Sequence, residues 1–177
     1  MRTASSPALS PGDESRGGGS GSIYLSSLTG DLTSPLRTRE VDILIFNPPY
    51  VPTDSVPPPP RPTQSGSTST TSAKPSFEES SHLLSLSYAG GADGMEVTNR
   101  LLRQLPETLS ARGVAYVLLC RGNKPEAVKG WIRSWGVVGG AKGEGGCRWC
   151  AETVGTSGKT AGWEKLEIVR IWREWTG

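Results

Sequence analysis

The six-residue run Val41-Asp42-Ile43-Leu44-Ile45-Phe46, cut off at once by Asn47-Pro48-Pro49-Tyr50, constrains the fold more than any other part of this chain. All but Asp42 are apolar and most are β-branched, so the run reads as a strand buried on both faces, the habit of a parallel sheet. Two consecutive prolines cannot donate to a ladder, so pairing must stop there and the chain must leave the sheet. In an open α/β sheet the ligand crevice lies beyond the carboxyl ends of the strands, which is where Asn47 to Tyr50 falls.

These residue types suit one kind of chemistry. The prolines stiffen the backbone and, lacking N–H groups, leave nearby carbonyls free to face a substrate. The Asn47 side-chain oxygen is a second acceptor. Together they can hold both N–H bonds of a planar –NH2 group while the Tyr50 ring covers its flat face. Holding a nitrogen in line with an electrophile is a matter of position and electrostatics, with no need of a metal or a covalent nucleophile. Read alone, such a tetrapeptide is usually a polyproline turn.

The strand sits in a chain of 177 residues with strongly biased tracts. Residues 1–22 are Ser, Gly, Pro, Ala and charge, including Gly17-Gly18-Gly19-Ser20-Gly21, and are expected to be disordered. A Pro/Ser/Thr-rich insert, expected to be disordered as well, covers residues 52–81 and includes Pro57 to Pro60 and Ser65 to Ser72. A domain over residues 23–177 is left with roughly 120 foldable residues, within the size of a small domain. A net charge of +2 with scattered basic residues argues against a nucleic-acid partner. No window is apolar enough to span a bilayer, no secretory h-region opens the chain, and three cysteines fit a reducing compartment. The expected location is the cytoplasm, with or without the nucleus.

Further elements follow from periodicity. Ser22 to Leu28 is a weak strand. Gly90-Gly91-Ala92-Asp93-Gly94 leads into a helix with Asp93 as N-cap, Glu96 closing a capping box, and Val97, Leu101, Leu102 and Leu105 on one face; Pro106 then kinks or restarts it. Gly113 to Cys120 is a second buried strand. Asn123 and Glu126 cap another helix with the stripe Ala127, Val128, Trp131, Ile132, Trp135 and a C′ glycine at Gly136. A terminal hairpin follows: Arg148 to Val154, a turn over Gly155 to Gly158, and a strand from Lys165 to Trp172. The class is α/β, a layered sheet ending in an antiparallel pair.

The apolar strand before Asn47-Pro48-Pro49-Tyr50, the continuation Val51-Pro52-Thr53, and Gly90-Gly91-Ala92-Asp93-Gly94-Met95-Glu96 together resemble the eukaryotic HemK-like protein glutamine methyltransferases. The resemblance covers about Ile23 to Thr53 and Tyr88 to Trp172. It implies a class I, Rossmann-like fold, S-adenosyl-L-methionine as methyl donor, and as substrate the glutamine of the Gly-Gly-Gln motif in the class 1 eukaryotic release factor. By the same resemblance Asn47 and the Pro48 carbonyl bind the substrate amide, Pro49 and Tyr50 complete the catalytic motif, and Phe46 and Val51 line the site. Asp31, in Gly30-Asp31-Leu32, matches a position that contacts the adenine of the donor, with Asn47 also on the cofactor; as a bare residue Asp31 is equally a turn aspartate. A small zinc-binding activator protein that covers an apolar sheet edge is the implied partner.

One departure stands out. The family's opening strand, its Glu-x-Gly-x-Gly-x-Gly turn and the acidic residue that takes the ribose are missing, and Gly17 to Gly21 follows no apolar strand. The resemblance is therefore to the second half of the enzyme, a partial sheet beginning near its third strand, and weak or absent donor binding is expected. Two competing functions remain: a non-catalytic fragment keeping the substrate and activator faces, and an amino-methyltransferase of adenine in nucleic acid, against which the charge speaks. Other motifs are weaker. Cys147-Arg148-Trp149-Cys150 lacks further ligands for a zinc site, and no metal is expected. Gly158-Lys159-Thr160 lacks the first glycine of a phosphate loop, and Pro57 to Pro62 reads as a loop before an SH3-type ligand. Trp131 and Trp135 are expected in the core, and Trp163, Trp172 and Trp175 at an edge or partner face.

Overall fold

The computed structural model describes residues 27–59, 76–136, 146–157 and 165–175. Most of the Ser22 to Leu28 segment, the centre of the insert, Gly158-Lys159-Thr160 and Trp163 lie outside the described residues; Ser27 and Leu28, which are described, form no strand. Among the described residues four strands make one sheet: β1 (Val41–Phe46), β2 (Leu109–Cys120), β3 (Cys147–Thr156) and β4 (Leu166–Trp175), in the order β1-β2-β4-β3. β1 and β2 are parallel, with Leu44 beside Ala115 and Phe46 beside Val117. β4 runs antiparallel to both β2 and β3. The α/β class and the terminal antiparallel pair are as the sequence indicates.

Helix α1 (Phe77–Tyr88) begins inside what the composition marked as insert. Ser76 accepts from the Glu79 backbone while Glu79 reaches back to the Ser76 N–H, a reciprocal cap that starts a helix despite the polar surroundings. Helix α2 (Glu96–Thr108) continues through Pro106, so the expected restart does not occur; the proline sits near the end, where few residues remain to be disturbed. Asp93 is not its N-cap. It lies at φ 54° inside a 3-10 turn, Ala92–Gly94, and pairs with Lys124, while the Glu96 side chain accepts from the Ala92 N–H.

Helix α3 (Pro125–Arg133) starts two residues after Asn123, with left-handed Lys124 at the cap position, so the predicted Asn123 cap is also absent. It ends at Arg133, ahead of Gly136, which is therefore not the C′ residue. Gly155 and Thr156, expected in the hairpin turn, remain paired within β3.

Helices α2 and α3 lie against one face of the sheet. Leu101, Leu102 and Leu105 of α2 and Val128 and Ile132 of α3 pack on Ala115, Val117, Trp149, Val169 and Ile171. Burying each large aliphatic side chain is worth about 1.5–3 kcal/mol. Trp149 is buried with Trp135 at 5.1 Å and edge-on; Trp131, expected in the core, is 37% exposed and meets Trp135 edge-on at 5.4 Å. Trp175 is exposed, and Trp172 lies half-buried beneath Arg170.

The other face corrects the expectation for β1. Ile43 and Ile45 are 66% and 79% exposed, because alternate residues of a strand point to opposite faces and nothing among the described residues covers this one. Val41, Leu44 and Phe46 pack against the core beneath the helices, Val41 sharing their face because the register shifts between Val41 and Ile43.

Candidate functional site

β1 delivers Asn47 at its carboxyl end, and the chain then turns out of the sheet. Asn47 is exposed, Pro48 buried, and Pro49 and Tyr50 half-buried. Among the described residues neither the Asn47 side chain nor the Pro48 carbonyl takes part in a hydrogen bond. Their neighbours are firmly tied. The Val51 N–H donates to Tyr88 and the Val51 carbonyl accepts from Gly90, both within 2.9 Å, and Thr53 and Gly91 bond to each other twice, through the Thr53 N–H and through its hydroxyl. Val51 thus forms a parallel bridge with Ala89 at the end of α1.

The glycine run explains itself at this point. A Cβ on Gly90 would lie 2.5 Å from the Pro49 carbonyl oxygen, and one on Gly94, which has φ +67°, would lie 2.0 Å from the Tyr50 carbonyl oxygen. Backbone meets backbone here, so only glycine lets the turn back the tetrapeptide this closely. Asn123, buried at the end of β2, joins the same point by donating to the carbonyls of Tyr50 and Asp93.

Asp31 is held nearby by the segment that carries it. Thr33 donates its N–H and hydroxyl to the Gln104 side chain and accepts from Thr108, fastening residues 31–36 to α2. The Asp31 carboxylate pairs with Arg100 of α2. Asp31, Phe46 and Pro49 share the wall of a cavity of about 720 Å³ with Leu32, Val97 and Arg100. Its size and mainly apolar lining suit a flat, nucleoside-like group, with Asp31 as the acceptor for an amino edge. The residues present fit the adenine end of S-adenosyl-L-methionine.

Asn47 borders a second cavity, of about 380 Å³, shared with Ile45, Phe46, Tyr116, Leu118 and Ile168 on the uncovered face of the sheet. Phe46 lines both cavities. Of the residues expected at the site, Asp31, Phe46 and Pro49 line the first cavity and Phe46 and Asn47 the second; Pro48, Tyr50 and Val51 line neither, and Val51 forms the bridge to Ala89. Sequence reasoning passed over Arg100, Thr33, Gln104 and Asn123. For Asn123 the one available signal, its place just before a helix, pointed to capping instead. Cys147 and Cys150 lie on opposite faces of β3, the first buried and the second partly exposed. Burial and the Glu174 carboxylate push the Cys150 thiol above its ordinary range.

A mixed sheet of this order, with an Asn-Pro-Pro-Tyr loop at the carboxyl end of its parallel edge strand, is part of a class I methyltransferase fold. The chain belongs to the HemK-like glutamine methyltransferases. It is 35% identical over 154 residues to the eRF1 methyltransferase catalytic subunit mtq2 of Schizosaccharomyces pombe, a match covering 85% of this chain and 51% of that protein. It is 33% identical over 120 residues to Methyltransferase HEMK2 of Homo sapiens, covering 66% and 46%. A ribosomal protein uL3 glutamine methyltransferase of Bradyrhizobium diazoefficiens is 33% identical over 98 residues, 54% of this chain and 24% of that protein. The chain spans about half the length of the first two relatives. No family model matches it.

Proposed function

We propose that this chain carries the substrate-nitrogen clamp of an S-adenosyl-L-methionine-dependent methyltransferase whose substrate is the glutamine of the Gly-Gly-Gln motif in the class 1 eukaryotic release factor. The supporting observation is the tetrapeptide itself: Asn47 projects from the end of β1 with its amide uncommitted, while Val51 to Thr53 and the glycine turn hold the loop behind it. The Asn47 oxygen and the Pro48 carbonyl accept the two N–H bonds of the glutamine amide. That fixes the plane of the amide and raises electron density on its nitrogen. The Tyr50 ring lies on the flat face and keeps water from it. Asp31, oriented by Arg100, accepts from the adenine amino group. The donor, when bound, supplies an electrophilic sulfonium methyl. Phe46, shared by both cavities, separates the donor side from the substrate side.

Ile43 and Ile45 give β1 an apolar edge of the kind that a small zinc-binding activator protein would cover. A release-factor substrate puts the protein in the cytoplasm, with or without the nucleus. The absence of a basic stripe argues against adenine in nucleic acid as the substrate.

The direct test uses a fluorescent peptide bearing Gly-Gly-Gln and its Gly-Gly-Glu counterpart. The chain should bind the first and discriminate against the second, and Asn47→Ala should abolish the preference, since a site built for an –NH2 group leaves its acceptors facing a carboxylate. Equal binding of the two peptides would remove the amide clamp. Calorimetry with S-adenosyl-L-methionine separates enzyme from fragment: micromolar binding by this chain alone would rule out the non-catalytic reading.

A further inference from the structure

The geometry points to Asn123 as a positioning residue of the clamp, the side chain that sets where Tyr50 sits relative to the end of β2. The inference rests on the reading of Asn47 to Tyr50 as an amide clamp and names a residue through which that clamp is held.

Asn123 is 2% exposed, so its polar atoms must find partners within the protein. Its Oδ1 accepts from the Cys120 N–H at 2.8 Å. Its Nδ2 faces three carbonyl oxygens, those of Asp93 at 2.9 Å, Tyr50 at 3.1 Å and Gly94 at 3.4 Å. An amide turned the other way would set an oxygen against three oxygens and a nitrogen against an N–H, so the orientation is fixed by the partners alone. One side chain therefore ties the end of β2, the loop leaving β1 and the glycine turn. The absence of a Cβ on Gly94 is what lets them meet, since that atom would fall 2.7 Å from the Asn123 Nδ2.

Asn123 touches no substrate in this arrangement. It holds the Tyr50 carbonyl, three residues from Asn47, and a displacement of about 1 Å at a group that orients a substrate can cost about 100-fold in rate. Other side chains of similar size would fill the space. Only an amide supplies an acceptor to Cys120 and paired donors to the carbonyls at once.

Asn123→Asp isolates this role. The carboxylate keeps the bond from Cys120 but turns a charged oxygen on the carbonyls of Tyr50, Asp93 and Gly94; protonation in mild acid restores one O–H donor. The charged and titratable groups around the point are Asp93 and Lys124, paired at 3.0 Å, Arg121, Glu96 on the glycine turn and the Cys120 thiol that accepts from the Asn123 N–H, and the wild-type protein measured over the same pH range subtracts their titration. The readouts are site-resolved amide exchange and affinity for the fluorescent Gly-Gly-Gln peptide. At neutral pH, exchange at Val51, Thr53, Gly90 and Gly94 should accelerate by about ten-fold, with Val117, Val169 and Ile171 unchanged and peptide binding weakened. Both effects should reverse on acidification. A uniform acceleration across the sheet, or a variant that binds as the wild type does at every pH, overturns the proposal. If Asn123→Asp does not fold, Asn123→Ser, whose hydroxyl both donates and accepts, should show the same local acceleration without the pH reversal, and normal exchange there also overturns it. Failure of the wild-type chain to bind the peptide sinks the amide-clamp reading itself, whereas wild-type binding left intact by both variants sinks only the role of Asn123.

Discussion

Replacing Gly94 by alanine tests whether the glycine turn is a backing plate for the tetrapeptide or a loop that happens to pass it. Gly94 has φ +67°, and its new Cβ would lie 2.0 Å from the Tyr50 carbonyl oxygen. Left-handed backbone costs an alanine about 1–2 kcal/mol. Ordinary carbon–oxygen contact begins near ~3.3 Å, so the Tyr50 carbonyl must retreat by more than 1 Å, and forced rearrangement of packed groups adds about 1–3 kcal/mol. The total is about 2–5 kcal/mol. Two neighbours separate the contributions. Gly91 has φ +71° and ψ −153°, a conformation essentially confined to glycine, while its Cβ would meet only the Glu96 side chain, which can swing away, so Gly91→Ala should show backbone strain with little steric cost. Gly90 has no positive φ and would meet the Pro49 carbonyl oxygen at 2.5 Å, so Gly90→Ala should show the steric cost alone. Urea denaturation followed by tryptophan fluorescence gives all three differences from shifts in midpoint at constant slope. Gly94→Ala should be less stable than Gly90→Ala, and its Val51 amide resonance should move. If Gly94→Ala costs no more than the roughly 1–2 kcal/mol of left-handed strain, the close contact with Tyr50 contributes nothing and the backing-plate argument fails.

Arg173 is buried and donates to the backbone carbonyls of Leu109 and Ser110 with its guanidinium 5.0 Å over Trp149, so Arg173→Met should cost about 2 kcal/mol in the same assay by stranding two acceptors; an unchanged midpoint would contradict this. Hydrogen bonds from the Ser76 backbone and side chain hold the Glu79 carboxyl below its ordinary range. A lowered folded pKa stabilises above the unfolded glutamate value and is lost as pH falls through the folded one, so exchange at the start of α1 should rise in acid and Glu79→Gln should remove that dependence; an acid response unchanged in Glu79→Gln would reject the cap as its source. Ile45 is 79% exposed and Leu105 fully buried, so Ile45→Lys should shift stability by no more than about 0.5 kcal/mol while lowering apolar dye binding, and Leu105→Ala should cost about 2–5 kcal/mol. Similar losses from both would mean that the face bearing Ile45 is covered in solution.

Local pattern was enough for much of this protein. The apolar period of Val41 to Phe46, the stripe Leu101, Leu102 and Leu105, and the alternation near Arg148 to Val154 each reappear as the element they indicate, because periodicity reflects which side of an element must leave water. The Asn47 to Tyr50 loop was visible too, since two prolines can end a strand without reference to anything distant. The failures share a cause. Asp93 and Asn123 both carry the side chain of a helix cap, and both are used elsewhere: Asn123 bonds to Tyr50, 73 residues away in sequence, and Asp93 to Lys124, 31 away. A polar side chain takes the best partner the folded chain brings to it, and the sequence does not say which distant carbonyl that will be. The same limit hid the two faces of β1. Its composition determined that Ile43, Leu44, Ile45 and Phe46 would form an apolar strand, but only the placement of α2 and α3 on one side of the sheet decided that Leu44 and Phe46 join the core while Ile43 and Ile45 face outward.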